Sequence, residues 1–127
     1  MTDRSGIERV LNNLYAKRVR GDLDEVCRLF SGVSYFQIGG GSHLSPISIR
    51  TVGIDGIRGW LRVIMKTFAI ADFAVLSKLI DAPQAAIHWH ANIQSRITRT
   101  IVATEFVDIV RIRDDQIVSY VEFISPR

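Results

Sequence analysis

Two carboxylates occupy alternating, largely apolar segments near the end of the chain. Asp108 shares a candidate strand face with Phe106 and Val110, and Glu122 shares one with Tyr120. A carboxyl group buried among apolar neighbours has a raised pKa, so it can act as acid, base or hydrogen-bond donor near neutral pH. Two carboxylates in one pocket push their pKa values apart and form an acid–base pair. The alternatives are a structural role for Asp108 and a solvated edge position for Glu122.

Aromatic residues provide candidate walls and hydroxyl groups for a binding site. Trp89 and Trp60 can stack on a flat ligand, and Tyr15 or Tyr120 can donate a hydrogen bond to it. A core position beneath the helices suits Trp89 equally well.

The histidines and the cysteine do not predict a metal or cofactor site. His88 and His90 stand two residues apart on a candidate strand, but no third ligand is evident, so an outer sheet face is favoured. The single cysteine, Cys27, excludes an intrachain disulfide and fits a reducing cytoplasm. No phosphate-binding loop or dinucleotide fingerprint occurs, so we expect no cofactor and no metal.

Three helices are predicted in the first half of the chain. The Ser5–Glu8 segment matches a capping box and starts the first helix, which should end near Gly21. Asp22 can cap a short second helix, and a third is predicted over 55–68.

The second half predicts a sheet of meandering strands. Between the helices, residues 39–52 are glycine-rich and predict a flexible loop, in which His43 is a candidate lid residue. Apolar and β-branched content predicts strands over 33–38, 73–80, 85–97, 100–113 and 117–124. Within 85–97, Trp89 and the two histidines fall on opposite faces, and register decides which face is inward.

Composition and charge favour one small intracellular domain over residues 1–127. The formal net charge is +3, and the cations of the helical half, Arg18 among them, are interspersed with acids as on solvated helix faces. Nucleic-acid binding needs clustered cations, so it is not expected. No apolar run long enough to cross a membrane occurs, and no signal peptide is evident.

Three stretches together resemble ketosteroid-isomerase-like and SnoaL-like proteins of the nuclear transport factor 2-like superfamily. They are residues 14–30 around Gly-Asp-Leu-Asp, residues 53–57, and the closing segment 105–123. The resemblance implies an α+β fold in which three helices close a cone-shaped, curved antiparallel sheet (a cystatin-like roll) around a pocket. It also implies a homodimer through the outer face of the sheet.

The resemblance also implies roles for individual residues. Asp108 falls where the family has a proton-donating aspartate, and Leu14 fills the position of a helix tyrosine, with Tyr15 one residue away. The position of the family base, near residues 37–39, holds no acid, so steroid isomerisation is not expected. Leu14, Phe106 and Val110 are expected to line the pocket.

These observations predict a cofactor-independent enzyme acting on a small apolar carbonyl or polyketide-like molecule. Asp108 and Glu122 would be acid and base, with Tyr15 or Tyr120 as hydrogen-bond donor, in isomerisation, cyclisation or dehydration. The alternative is a non-catalytic ligand-binding or dimerisation module of the same fold, because fold alone does not fix function.

Overall fold

The chain folds into three helices and a six-stranded sheet in a computed structural model that describes residues 2–41 and 46–126. His43, the candidate lid residue, lies outside the described residues. In chain order the elements are α1 (Arg4–Arg20), α2 (Leu23–Cys27), β1 (Phe30–Gly41), β2 (Pro46–Val52), α3 (Ile54–Thr67), β3 (Phe68–Asp81), β4 (Gln84–Ser95), β5 (Ile101–Arg113) and β6 (Gln116–Pro126).

Side-chain and glycine caps set the boundaries of the first two helices. Asp3, rather than Ser5, is the N-cap of α1, and its carboxylate accepts a hydrogen bond from the first turn. The capping-box start was therefore placed two residues too late. Gly21 ends α1 in the left-handed conformation that glycine adopts without strain. The Asp22 side chain accepts from the Glu25 amide and caps α2, as predicted.

The sheet is curved and has the strand order β2-β1-β6-β5-β4-β3. Strands β3 to β6 form an antiparallel meander, and β2 pairs antiparallel with β1. The pairing of β1 with β6 is parallel. The predicted α+β cone is confirmed, with this one parallel ladder joining the beginning of the sheet to its end.

The strands before and after α3 differ from the sequence prediction. Part of the predicted loop over 39–52 belongs to strands, because β1 continues to Gly41 and β2 begins at Pro46. Ile47 and Ile49 alternate with polar residues there, and both line a cavity. Phe68 was predicted to extend the third helix, but it has extended backbone angles and begins β3.

The inner face of the sheet and the apolar face of α1 form the core. In β4, Ile87 and Trp89 are buried on the inner side, whereas His88 and His90 lie on the other face. The sequence left open whether Trp89 or the two histidines face inward, and the register places Trp89 on the inner face. No helix in residues 2–41 and 46–126 is long and apolar enough to cross a membrane.

The parallel ladder requires glycine at position 40. Gly40 has φ +119°, and a Cβ atom there would overlap the backbone carbonyl of Ile124 on β6. We expect Gly40→Ala to lower the free energy of unfolding by about 3 kcal/mol, through backbone strain and overpacking.

Urea denaturation followed by circular dichroism measures this effect. Gly39→Ala is the matched control, because the nearest atom to its added Cβ lies 3.9 Å away. We expect it to change stability by less than about 1 kcal/mol. Equal stability of the two variants would contradict the assignment of strain to position 40.

Candidate active site

Asp108 and Glu122 lie side by side on the inner face of the sheet. They are direct partners in the β5–β6 register, and neither side chain has exposed surface. Side chains alternate along a strand, so the buried neighbours of each carboxylate place it on the inner face. The structure thus brings the two predicted carboxylates together.

One oxygen of Asp108 is surrounded by hydrogen-bonding groups from three elements. The distances to Asp108 Oδ2 are 2.5 Å from the Tyr15 hydroxyl, 2.7 Å from the Tyr120 hydroxyl and 2.8 Å from Trp89 Nε1. The second oxygen, Oδ1, is buried without a hydrogen-bond partner in the described part of the protein. Asp108 is therefore fixed in position through one oxygen.

Arg18 binds Glu122 through both terminal nitrogens. Arg18 Nη1 lies 2.5 Å from Glu122 Oε2, and Nη2 lies 2.9 Å from Oε1. Arg18 Nη1 also donates to the Tyr120 hydroxyl at 2.8 Å, and that hydroxyl lies 2.8 Å from Glu122 Oε2. Tyr120 consequently bridges the two carboxylates. We call the group Arg18, Glu122, Tyr120, Asp108, Tyr15 and Trp89 the polar cluster.

The prediction that Arg18 lies on a solvated helix face is wrong, since its side chain is only 8% exposed. A signal was present, because Arg18 follows Leu11 and Leu14 at spacings of seven and four residues. Such spacings place a residue on the buried face of a helix. A long aliphatic stem lets a guanidinium reach across that face to a carboxylate.

The two carboxylates have pKa values shifted in opposite directions. Burial, followed by the neighbouring charge of Glu122, raises the pKa of Asp108 well above its usual range. Burial alone would also raise the pKa of Glu122, but the charge and hydrogen bonds of Arg18 outweigh it, so that pKa is lowered. Arg18 thus favours the ionised form of Glu122, while burial favours the protonated form of Asp108. With Asp108 protonated, the cluster as a whole is neutral.

A phenol can both donate and accept a hydrogen bond, so the three contacts to Asp108 Oδ2 are compatible with a protonated carboxyl group. The acid can donate to Tyr120 while Tyr120 donates to Glu122. Burial raises the pKa values of Tyr15 and Tyr120 well above their ordinary value, so both phenols stay protonated at neutral pH.

A cavity of about 590 Å³ opens beside the polar cluster. Arg18 and Glu122 stand at its buried end, whereas Trp60, which is 40% exposed, marks its mouth. Its walls are mainly apolar side chains from α3, β1, β2 and the inner faces of the remaining strands. They include Ile38, Ile49, Leu61, Ile64, Ile93, Phe106 and Ile124.

The predicted wall residues divide into two layers. Trp60 and Phe106 line the cavity. Trp89 is stacked on Phe106 with ring centroids 3.8 Å apart, and it uses its indole nitrogen to bind Asp108. Trp89 therefore lies behind the residues that line the cavity. Five other residues were expected in the pocket and do not line the cavity either. These are Leu14, Tyr15, Asp108, Val110 and Tyr120.

Tyr15 instead borders a second, smaller groove. This groove has a volume of about 310 Å³ and lies between α1 and strands β3 and β4, with Phe73 and Lys78 among its lining. The polar cluster therefore extends from the large cavity at Arg18 to the small groove at Tyr15.

The outer face of the sheet carries the two strand histidines. His88 Nε2 lies 3.6 Å from Glu105 Oε2. Within residues 2–41 and 46–126, no group of three histidine, cysteine or acidic side chains is arranged to hold a metal ion.

Comparisons with known proteins agree with this fold. A family model described as a SnoaL-like domain matches residues 11–120, whereas no curated protein matches the sequence. A candidate isomerase from Bacillus subtilis has a similar structure, with a TM-score of 0.83 at 16% identity over 98% of this chain and 90% of that chain. The predicted resemblance is confirmed.

Two further solved structures show the same fold. An NTF2-like protein from Burkholderia xenovorans has a TM-score of 0.76 at 12% identity, covering 98% of this chain and 93% of that chain. A steroid delta-isomerase from Pseudomonas aeruginosa has a TM-score of 0.66 at 19% identity, covering 98% and 82%.

The raised pKa of Asp108 predicts a specific pH dependence of stability. Above its ordinary pKa of 3.8, the unfolded chain loses the proton that the folded protein retains. Rising pH therefore lowers the free energy of unfolding, with a limiting slope of about 1.4 kcal/mol per pH unit, until Asp108 itself ionises. Asp108→Asn does not titrate, so the stability of the wild type relative to this variant should fall as pH rises from 4.

Urea unfolding across the acid and neutral range measures the difference. Asp24→Asn is the control, because a hydrogen bond from Arg58 lowers the pKa of this exposed carboxyl group. Because the pKa of Asp24 is lowered in the folded protein, the wild type should become more stable relative to Asp24→Asn as pH rises toward 3.8. A pH-independent difference for Asp108→Asn would show that Asp108 ionises normally.

Proposed function

The chain belongs to the family of SnoaL-like domains, and on that premise we propose that it catalyses proton transfer on a small, largely apolar carbonyl compound. The reaction class is isomerisation, cyclisation or dehydration without a cofactor. The observation that carries the proposal is the pairing of Asp108 and Glu122 as register partners on adjacent strands beside an apolar cavity. Their pKa values are shifted in opposite directions, and the Tyr120 hydroxyl bridges them.

Glu122 is the proposed base and Arg18 the proposed carbonyl-binding group. A carbonyl oxygen at the buried end of the cavity can accept a hydrogen bond from Arg18, which weakens one of its bonds to Glu122. The released carboxylate oxygen then takes a proton from the carbon next to the carbonyl, and Arg18 stabilises the negative charge on oxygen. Return of the proton to another carbon completes an isomerisation.

Asp108 is the proposed proton reserve of the site. It lies 2.7 Å from the Tyr120 hydroxyl, which lies 2.8 Å from Glu122. Asp108 can give its proton to the Tyr120 oxygen while Tyr120 gives its own to Glu122. Glu122 then becomes an acid that can protonate a leaving hydroxyl, as dehydration requires. The regenerated Glu122 carboxylate takes the proton from the carbon next to the carbonyl, and return of that proton through Tyr120 to Asp108 restores the site. Tyr15 and Trp89 position Asp108 for this transfer.

The cavity suits a compact apolar molecule. Its volume of about 590 Å³ falls within the range of small-molecule sites, and Trp60 and Phe106 offer aromatic walls. Residues 37–39, where the family resemblance places a catalytic base, include no acidic residue, and Ile38 of this segment lines the cavity. The proposed reaction therefore uses the carboxylate of β6, a different position from the base of the steroid isomerases that the chain resembles.

A binding module without turnover is the second candidate function. It is favoured by the Arg18–Glu122 pair, which occupies both Glu122 oxygens, and by the absence of exposed Glu122 surface. If the ion pair stays closed when a ligand binds, the cavity holds the ligand and no proton moves.

Exchange of carbon-bound hydrogen for deuterium distinguishes the two candidates. We expect the wild type to accelerate exchange of the hydrogens next to the carbonyl of 2-tetralone in D₂O, followed by proton NMR. Glu122→Gln should reduce the acceleration by about 100-fold or more, the usual contribution of a general base.

Glu105→Gln is the matched control, because Glu105 lies on the adjacent strand but on the outer face. It should exchange like the wild type. Full exchange activity in Glu122→Gln would eliminate the proposed base, and binding of 2-tetralone without accelerated exchange would favour the binding module.

The outer face of the sheet is the proposed interface of a homodimer. Val107, Ile109 and Phe123 are exposed there, and Val107 and Phe123 are register partners on adjacent strands. We also propose a cytoplasmic location, with which the single buried Cys27 is compatible.

Phe123→Arg should convert the dimer into a monomer, because it places an unpaired charge in an apolar interface. Sedimentation velocity measures the change, and Ile97→Arg in the β4–β5 turn is the exposed control that should remain dimeric. A wild-type protein that sediments as a monomer at all concentrations would contradict the interface.

A further inference from the structure

The charges that line the large cavity are unbalanced. Among residues 2–41 and 46–126, two guanidinium groups, those of Arg18 and Arg96, and one carboxylate, that of Glu122, contribute to its wall. Arg18 is neutralised by its two bonds to Glu122. The described lining therefore retains one positive charge, that of Arg96, in an otherwise mainly apolar cavity.

Arg96 is held in place at the mouth of this cavity. Its backbone amide donates to the Thr67 carbonyl at 2.7 Å, and its Nε donates to the Met65 carbonyl at 3.1 Å. Both carbonyls belong to the last turn of α3, where a cation also interacts favourably with the helix dipole. The backbone bond fixes the position of the residue, and the Nε bond restrains its side chain. Neither terminal nitrogen of the guanidinium has a hydrogen-bond partner within residues 2–41 and 46–126.

No carboxylate in residues 2–41 and 46–126 forms an ion pair with Arg96. Phe68, Val63 and Trp60 are exposed at the same mouth, so an anion bound to Arg96 would have apolar surface directly beneath it. A planar carboxylate can accept hydrogen bonds from both terminal nitrogens of a guanidinium at once, and its apolar body can then cover this surface.

We propose that the ligand of this cavity is an amphipathic carboxylate. Its apolar body fills the cavity, and its carboxylate binds the terminal nitrogens of Arg96 at the mouth. The inference deepens the proposed function, because it places a second anchor on the same ligand whose far end meets Arg18 and Glu122. It requires binding only, and it holds for an enzyme and for a binding module.

The positive charge of Arg96 favours an anionic ligand over a neutral or a cationic one. A neutral ligand would leave Arg96 unpaired at the mouth, and an ammonium group would be repelled by it. The mouth is open to water, so the preference for a carboxylate over an equally long alcohol should be modest. We expect about a 10-fold difference in dissociation constant.

Displacement of a neutral fluorescent reporter tests the inference. Dodecanoate, dodecan-1-ol and dodecylamine compete with N-phenyl-1-naphthylamine for the wild-type protein at neutral pH and constant ionic strength. Dodecanoate should bind about 10-fold more tightly than the alcohol, and the amine more weakly than both. Direct calorimetric titration of dodecanoate gives the same dissociation constant without the reporter.

Three variants assign the preference to Arg96. Arg96→Gln should abolish the difference between dodecanoate and the alcohol, whereas Arg96→Lys should retain part of it because the charge remains. Arg62→Gln removes an exposed charge from α3 outside the cavity lining and should leave the difference intact. Thermal unfolding of each variant confirms that the fold is unchanged.

Several results would overturn the inference. They are equal affinities for acid and alcohol in the wild type, a preference that persists in Arg96→Gln or disappears in Arg62→Gln, and the absence of any dodecanoate binding by displacement and calorimetry. The outcome is independent of proton exchange in 2-tetralone, so failure of the ligand class and failure of the catalytic proposal are distinguishable.

Discussion

The buried ion pair between Arg18 and Glu122 is the interaction on which the rest of the site depends. A buried charge without a partner is strongly destabilising, so each member requires the other in the same place. Arg18 comes from the last turn of α1 and Glu122 from β6, and the pair therefore fixes the end of the helix over the sheet. It also keeps one carboxylate ionised at a position where burial alone would favour its neutral form.

The neutral state of Asp108 follows from that pair. The single cation of the cluster is already matched by Glu122, so a second ionised carboxylate would leave a net negative charge in the core. Burial and the charge of Glu122 keep the proton on Asp108, and the phenols of Tyr15 and Tyr120 surround it. Two chemically similar groups thereby acquire different protonation states through their surroundings.

Phe106 and Trp89 separate Asp108 from the large cavity. Phe106 faces the cavity on one side and stacks on Trp89 on the other, while Trp89 binds Asp108. This layering leaves Arg18 and Glu122 as the charged groups at the buried end of the cavity and Arg96 at its mouth. A ligand in this cavity would consequently lie between two positions of defined charge, with apolar walls between them.

Local sequence determined the helices and most of the strands, because caps such as Gly21 and Asp22 and the alternation of side chains along a strand are local. It left open which faces of the strands that carry Asp108, Glu122 and Trp89 point inward. The family resemblance added the cone. Only the tertiary structure decided that Arg18, 104 residues away from Glu122, is its partner and that Trp89 lies behind the cavity wall. Such contacts depend on where a helix lies over a sheet and on the register of distant strands, which no local pattern specifies.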